Sequence, residues 1–232
     1  MKGAAAAAAL ALAIALPAAC TLPQEESAFE QTGELIALSG GDAGAQGACV
    51  ICHGLAGEGD GELVPRLAGL DPGYAVRQLE FFSGGQRRHP QMVWIADRLS
   101  WDARQKVASY YAALPVPALQ PAWPPDEAAC APATARLYHL GDRSRGLAAC
   151  ATCHGLQGEG VGRGNPPLAD QPAAYLAQQL NAWRNGQRYG DARGVMTHVS
   201  RLLSDAEVTA LAGYSSVLRG ASAYPAPPAA CL

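Results

Sequence analysis

The sequence predicts an all-α protein built from two tandem copies of one small unit. Residues 33–114 and 132–220 repeat the same arrangement of glycine, proline, tyrosine and glutamine, which indicates a duplicated domain. In each copy a proline stands near the start of one predicted helix and a glycine stands beyond its end. Strand signals are absent from both copies. A unit of this size makes only a marginal hydrophobic core by itself.

The two copies match residue by residue at nearly constant spacing, and the matches run through most of each unit. They include Gly41-Asp42 with Gly141-Asp142, Gly57-Glu58-Gly59 with Gly158-Glu159-Gly160, Leu67-Ala68 with Leu168-Ala169, Tyr74 with Tyr175, Gln78-Leu79 with Gln179-Leu180, Gly85-Gln86 with Gly186-Gln187, and Tyr110 with Tyr214. The repeat therefore decides the architecture: two similar helical units, one after the other.

Short helices are expected in each unit, and several have recognisable ends. Asp42 and Asp142 are candidates to cap the helix that carries a cysteine motif in each unit. Ser204 and Glu207 have the spacing of a capping box, which predicts a helix start. The longer predicted helices cover 72–83, 100–114, 172–185 and 204–218.

A Cys-x-x-Cys-His motif lies at the equivalent place in each unit. Its members are Cys49, Cys52 and His53 in the first and Cys150, Cys153 and His154 in the second. Two thiols one helical turn apart can each bond one vinyl group of a porphyrin, and the adjacent histidine then ligates the iron. A single motif would also suit a redox dithiol or half a zinc site. Two copies with matching flanks favour two covalently bound haem c groups, whose apolar surface would complete the two cores.

Each unit also contains one candidate for the second iron ligand. Beyond Met1 the only methionines are Met92 and Met196, at equivalent places in the two units. A methionine at helical spacing usually fills a gap in a core. The matched positions favour iron ligation instead, which would raise the reduction potential relative to two histidine ligands. His89 and His198 lie nearby but have no counterparts, so we expect them to be accessory.

Two prolines are candidates to orient the iron-binding histidines. Pro65 and Pro166 each lie 12 residues after the motif histidine. A histidine that binds a metal usually donates its other ring N–H to an oxygen, and a proline carbonyl at this spacing could accept it. The alternative is a simple turn proline.

The N-terminus has the pattern of an export signal. Lys2 precedes an uncharged Ala/Leu-rich run, so residues 1–19 are expected to be a signal peptide, followed by a polar tail over 20–32. The run ends at Cys20 in a sequence that resembles a bacterial lipobox, although Pro17 stands where that motif has leucine. Three outcomes remain open: Cys20 is lipidated after cleavage, the signal peptide is removed without lipidation, or the signal peptide stays as a membrane anchor. All three place the remaining chain outside the cytoplasm.

Two further cysteines flank the second unit. Cys130 is the penultimate residue of a proline-rich linker over 115–131, and Cys231 lies in a C-terminal tail over 221–232. Because domain ends are often close in space and disulfides persist outside the cytoplasm, we expect a Cys130–Cys231 disulfide. Two free thiols, or pairing between molecules, are the alternatives.

Charge differs between the units, although the whole chain has a formal net charge of only −3. Residues 33–114 carry 7 Arg/Lys and 9 Asp/Glu, and residues 132–220 carry 9 Arg and 6 Asp/Glu. Nothing here indicates a nucleic-acid partner. The asymmetry predicts that the two units meet different partners, while the simpler interpretation is two solvated surfaces of unequal charge.

In these motifs the chain resembles the dihaem cytochrome c4 family over roughly residues 33–220. Both Cys-x-x-Cys-His motifs, the two prolines and two methionines, and Ser204-Asp205 with Ala212-Gly213-Tyr214 carry the resemblance. It implies two tandem class I cytochrome c domains, each a few helices wrapped around one haem. The departures are Cys20, Cys130, Cys231 and Trp101, which stands where the second unit has Asp205.

The resemblance implies a periplasmic electron carrier rather than an enzyme. Such a protein passes single electrons from a quinol-oxidising complex or a dehydrogenase toward a terminal oxidase, and these partners are often membrane-bound. One alternative is the cytochrome subunit of a sulfur-compound or alcohol dehydrogenase. Another is a dihaem peroxidase, which needs an open iron position and is disfavoured by two matched methionine ligands.

Overall fold

The computed structural model describes residues 31–117, 131–162 and 164–218. Within these ranges the chain is helical, with isolated β-bridges and no extended strand. The helices of the first repeat are α1 (Gly33–Ser39), α2 (Val50–His53), α3 (Pro72–Ser83), α4 (Pro90–Ala96) and α5 (Trp101–Ala113).

The second repeat has the same order of helices. They are α6 (Pro132–Leu140), α7 (Ala151–His154), α8 (Ala173–Arg184), α9 (Val195–Leu202) and α10 (Asp205–Ser216). Each helix packs as its counterpart does: α1 and α3 pack on α5, and α6 and α8 pack on α10. The short helices α2 and α7 carry the two Cys-x-x-Cys-His motifs.

The predicted long helices are confirmed to within two residues at each end, because local caps set most of their boundaries. Helix α3 begins at Pro72 after Asp71, whose side chain accepts a hydrogen bond from the Tyr74 backbone. Helix α10 begins with the predicted capping box, in which Ser204 and Glu207 satisfy each other's backbone N–H groups. Helix α8 starts one residue later than expected, since Pro172 serves as its N-cap.

The predicted roles of Asp42 and Asp142 were wrong. Asp42 lies inside a short 3₁₀ turn over Gly41–Ala43, and Asp142 caps a separate turn over Arg143–Arg145. Neither caps a motif helix, because each turn ends at a glycine with positive φ that redirects the chain before the motif. Asp142 instead accepts a hydrogen bond from Arg145.

Each repeat has its own hydrophobic core between its first, third and last helices. The core of the first repeat contains Ile36, Ala37, Leu99, Ala103, Val107 and Tyr111. The core of the second contains Tyr138, Leu147, Ala151, Ala169, Leu203, Val208, Leu211, Tyr214 and Leu218. His139, which had no predicted role, contacts this second core through a 2.8 Å hydrogen bond to the Tyr214 hydroxyl.

The repeats are joined by a buried arginine of the first that reaches into the second. Arg66, which is 2% exposed, donates from Nη2 to the Ala169 carbonyl oxygen at 3.1 Å and from Nε to the Asp170 carbonyl oxygen at 3.3 Å. Its own backbone exchanges two hydrogen bonds with the side-chain amide of Gln171, at 3.1 and 2.9 Å. Pro167 stands at the equivalent place in the second repeat, so this link has no symmetric partner.

No helix within the described ranges has the length and apolar character needed to span a bilayer. The predicted signal peptide, Cys20, most of the linker, Cys130 and the tail with Cys231 lie outside the described residues. The signal, the lipidation and the disulfide therefore remain predictions, as do the exact domain limits.

Candidate haem sites

The first motif places its histidine at the end of α2, beneath a loop that folds back over it. The Gly59 N–H donates to the His53 carbonyl oxygen at 2.8 Å, and Leu67 and Ala68 donate to the Gly57 carbonyl oxygen. Gly57 has φ +68°, and a Cβ there would meet the Tyr111 ring at 2.8 Å, so only glycine suits this return. The loop brings the Pro65 carbonyl oxygen to 2.9 Å from Nδ1 of His53.

The second motif has the same arrangement. Gly160 donates to the His154 carbonyl oxygen at 2.8 Å, and the Pro166 carbonyl oxygen lies 2.8 Å from Nδ1 of His154. Because a carbonyl oxygen can only accept, Nδ1 carries the proton in both histidines. The lone pair on Nε2 is then available to an iron ion, and the hydrogen bond at Nδ1 fixes the orientation of the ring.

Burial keeps both imidazoles neutral. His53 and His154 are each 8% exposed. Burial lowers the pKa of His53 below its usual range, the hydrogen bond to Pro65 opposes this shift, and the charge of Arg87 adds to the lowering. Burial likewise lowers the pKa of His154, opposed by Pro166 and reinforced by Arg188. A neutral imidazole is the form that binds a metal.

The two cysteines of each motif lie one helical turn from each other. Cys49 and Cys150 are partly buried, and burial raises the pKa of each thiol to about 11. Cys52 is exposed and Cys153 is partly buried. Each motif thus offers two cysteine sulfurs and one neutral histidine on a single helical turn, the donor set that covalent haem attachment uses.

The two methionines occupy equivalent helices. Met92 lies in α4, whose N-cap is His89: the Met92 backbone N–H donates to Nδ1 of His89 at 3.3 Å. Met196 lies in α9, and its backbone N–H donates to a carboxylate oxygen of Asp191 at 2.6 Å. Both methionine side chains are partly buried. The accessory role expected for His89 is therefore a helix cap, while His198 is exposed.

Sequence reasoning missed two buried arginines that lie between the repeats. Arg87 and Arg188 are 8% and 7% exposed, and a backbone bridge pairs them across the two repeats. They directly follow Gly85-Gln86 and Gly186-Gln187, so extending the repeat match by one residue would have found them. That they meet each other is visible only in the tertiary structure.

The two sites predict the haem content of the purified protein. We expect its mass to exceed that of the mature polypeptide by two haem groups, and we expect the haem to stay with the protein during acid–acetone extraction. Both results follow from thioether attachment at two motifs. An excess of one haem group would contradict the equivalence of the two sites.

Comparisons with known proteins agree with this geometry. Residues 141–215 match the family model described as Cytochrome c. The chain is 43% identical over 183 residues to a thiosulfate dehydrogenase electron acceptor from Stutzerimonas stutzeri, covering 78% of this chain and 84% of the relative. It is 35% identical over 181 residues to cytochrome c4 from Thiocapsa roseopersicina, covering 75% of this chain and 88% of the relative.

A solved structure has the same fold. It is thiosulfate dehydrogenase (TsdBA) from Marichromatium purpuratum, with 41% identity, a TM-score of 0.72 and coverage of 82% of this chain. This chain spans only 40% of the length of that protein. The helical repeats, the two motif sites and these likenesses agree. The chain therefore belongs to the dihaem cytochrome c4 family, as an electron-transfer protein of two class I cytochrome c domains with covalently bound haem c.

Proposed function

We propose that this protein accepts single electrons from a thiosulfate-oxidising dehydrogenase and passes them on toward a terminal oxidase. The observation that carries the proposal is the 43% identity to a relative named thiosulfate dehydrogenase electron acceptor. The match covers 84% of the length of that relative. The likeness to part of a longer chain titled thiosulfate dehydrogenase supports an encounter with the same kind of enzyme.

The residues of each site suit a carrier rather than a catalyst. When bound, haem c supplies one-electron cycling between ferrous and ferric iron. His53 and His154 would each hold one iron through Nε2, while Pro65 and Pro166 fix the ring orientation. Met92 and Met196 are proposed to supply the second protein ligand of each iron. An iron held by both a histidine and a methionine would offer no place for peroxide or another substrate.

The predicted export signal bears on where the protein works. We propose that the protein works in the periplasm, where its N-terminal signal would deliver it. Cys20 would tether it to a membrane if it is lipidated. A lipid tether would keep the carrier near membrane-bound redox complexes. Metabolic labelling with a radioactive fatty acid would test this, because replacing Cys20 by serine should abolish incorporation of the label.

Reduction by a purified thiosulfate dehydrogenase tests the donor. We expect thiosulfate plus catalytic amounts of that enzyme to reduce both haems fully, seen as growth of the α band of ferrous haem c. A quinoprotein alcohol dehydrogenase with ethanol, and a quinol-oxidising complex with quinol, serve as comparison donors. Faster reduction by either comparison donor would contradict the assignment of thiosulfate dehydrogenase. Rapid consumption of hydrogen peroxide by the reduced protein would instead favour a peroxidase.

Salt dependence tests whether the unequal charges of the repeats select partners. The first repeat is net acidic and the second net basic by the counts above. We expect electron-transfer rates with a basic and with an acidic redox partner both to fall as salt rises, because exposed charges are screened beyond about 8–10 Å at ordinary ionic strength. Rates that are independent of salt with both partners would rule out this electrostatic selection.

A further inference from the structure

In the first repeat, an arginine of the last helix holds the end of the methionine-bearing helix. Arg104, in α5, donates from Nη2 to the Ala96 carbonyl oxygen at 2.8 Å and from Nε to the Leu99 carbonyl oxygen at 3.1 Å. Its Nη2 also donates to Oγ of Ser83, in α3, at 3.1 Å. The guanidinium therefore connects three helices at the point where α4 ends.

In the second repeat, an arginine of a different helix makes the equivalent contacts. Arg184, in α8, donates from Nε to the Ser200 carbonyl oxygen at 3.1 Å and from Nη2 to the Leu203 carbonyl oxygen at 2.8 Å. Its Nη1 donates to the carboxylate of Asp205, in α10. This guanidinium likewise connects α8, α9 and α10, the counterparts of α3, α4 and α5.

The two arginines stand at different places in the repeats, although their carbonyl acceptors match. The matched acceptors are Ala96 with Ser200 and Leu99 with Leu203. Val208 stands where the first repeat has Arg104, and Ser83 stands where the second repeat has Arg184. Each repeat thus brings a guanidinium to the same two carbonyls from the opposite helix. What the repeats share is the guanidinium at this position rather than the helix that supplies it.

The first carbonyl of each pair has a fixed place relative to the candidate methionine ligand. Ala96 follows Met92 by four residues, and Ser200 follows Met196 by four, which is about one helical turn. Ala96 and Ser200 are fully buried. The last carbonyls of a helix carry partial negative charge, and a positive side chain that hydrogen-bonds them stabilises that end. Each arginine therefore holds the methionine-bearing helix one turn beyond the methionine.

The other end of each helix is held at the methionine itself. The Met92 backbone N–H donates to His89, and the Met196 backbone N–H donates to Asp191, as described above. These two contacts are local, because they span three and five residues of the chain. The arginines add the hydrogen bonds that tie the second end to neighbouring helices. Both methionine-bearing segments are thus fixed on either side of the helical turn that follows the methionine.

We propose that Arg104 and Arg184 are positioning residues that keep the methionine of their own repeat on the haem iron. The inference rests on the methionine ligation proposed above and does not depend on which enzyme donates electrons. Contacts behind a metal ligand orient it, and their loss weakens metal binding. A methionine on a short helix can leave the iron when that helix shifts, and a competing ligand can then bind. Each guanidinium restrains this shift in its own repeat.

Imidazole titration of the oxidised holoprotein measures how readily each methionine is displaced. The variants take the residue of the other repeat, Arg104→Val and Arg184→Ser. Arg88→Val and Arg201→Ser are the matched controls, because they remove exposed arginines in or next to the same two helices. We expect imidazole affinity to rise about tenfold at the haem of the mutated repeat alone, the lower end of what losing a supporting contact costs a metal ligand. The controls should bind imidazole as the parent does.

Two spectroscopic signals separate methionine displacement from general loosening of the fold. The weak near-infrared sulfur-to-iron charge-transfer band follows methionine ligation, and proton NMR of the haem methyl groups follows each haem separately. Comparison with Met92→Ala and Met196→Ala assigns each set of haem signals to one repeat. Retention of two haems per chain shows that a variant is assembled. A purely structural role would affect both haems, or neither, in this titration.

Relocated arginines provide a second test. Arg104→Val combined with Ser83→Arg gives the first repeat the arrangement of the second, and Arg184→Ser combined with Val208→Arg does the reverse. We expect each double variant to recover most of the resistance to imidazole that the single variant loses. Arg104→Lys keeps the charge but replaces the planar fork by a single ammonium group, so we expect it to recover less.

Three results would overturn the proposal by itself: unchanged imidazole affinity in both single variants, an equal rise at both haems, or double variants that bind imidazole as the single variants do. A parent protein without the sulfur-to-iron band would overturn methionine ligation and this inference together. The identity of the electron donor is tested separately, because no partner protein takes part in these titrations.

Discussion

Met92→Ala and Met196→Ala are each expected to open one haem and sharply lower its reduction potential. The two methionines lie in equivalent helices, α4 and α9, and both are partly buried. If each supplies a sulfur ligand, its removal leaves an iron position to water or to an added ligand. Axial ligands set haem potentials over a span of roughly 0.8 V, and methionine lies toward the high end.

The measurement is the near-infrared spectrum of the oxidised protein. Methionine ligation gives a weak sulfur-to-iron charge-transfer band, and each single variant should lose the contribution of one haem. The reduced variants should also bind carbon monoxide at that haem. His89→Ala and His198→Ala are the matched controls, since these are the nearby competing ligands, and both should keep the full band. A methionine variant with an undiminished band would show that another residue binds that iron.

Arg66→Ala is expected to destabilise the holoprotein strongly, because it removes the buried guanidinium that joins the two repeats. Three carbonyl oxygens, of Ala68, Ala169 and Asp170, accept hydrogen bonds from this buried guanidinium. Removing the guanidinium leaves these three carbonyl oxygens without a charged donor. Hydrogen bonds to charged groups contribute about 1.5–3 kcal/mol each and are not fully additive, so we expect a loss of roughly 3–5 kcal/mol.

Denaturant unfolding of the holoprotein measures the loss of unfolding free energy. In thermal unfolding, each kcal/mol lowers the midpoint of a protein of this size by about 2–4 °C, so we expect the midpoint to fall by about 10 °C. Arg66→Met separates the lost hydrogen bonds from lost packing, because it keeps an unbranched apolar chain. Arg136→Ala removes an exposed arginine and is the control. An Arg66→Ala stability equal to that of the control would show that the link contributes nothing.

Local features of the sequence were enough to predict the four longest helices and the candidate ligands. Cys49, Cys52 and His53 lie within one helical turn, so their chemistry depends on spacing alone. The same holds for the Ser204–Glu207 capping box, whose bonds span three residues. The histidine–proline pair spans 12 residues in each repeat, yet duplication made it visible because the same spacing occurs twice. Asp42 and Asp142 were misassigned because the caps that they suggest depend on where neighbouring glycines turn the chain.

The sequence by itself determined two haem-binding units of known order, and only the tertiary structure decided how those units meet. The contacts that join them connect residues far apart in the chain: Arg66 with Gln171 across 105 positions, and Arg188 with Gln78 across 110. No periodicity or cap signal encodes such pairs. Arg87 and Arg188 look like ordinary polar residues after a helix, and their burial follows only from packing one repeat against the other. The units are therefore local in origin, while the contacts between them are a property of the assembled fold.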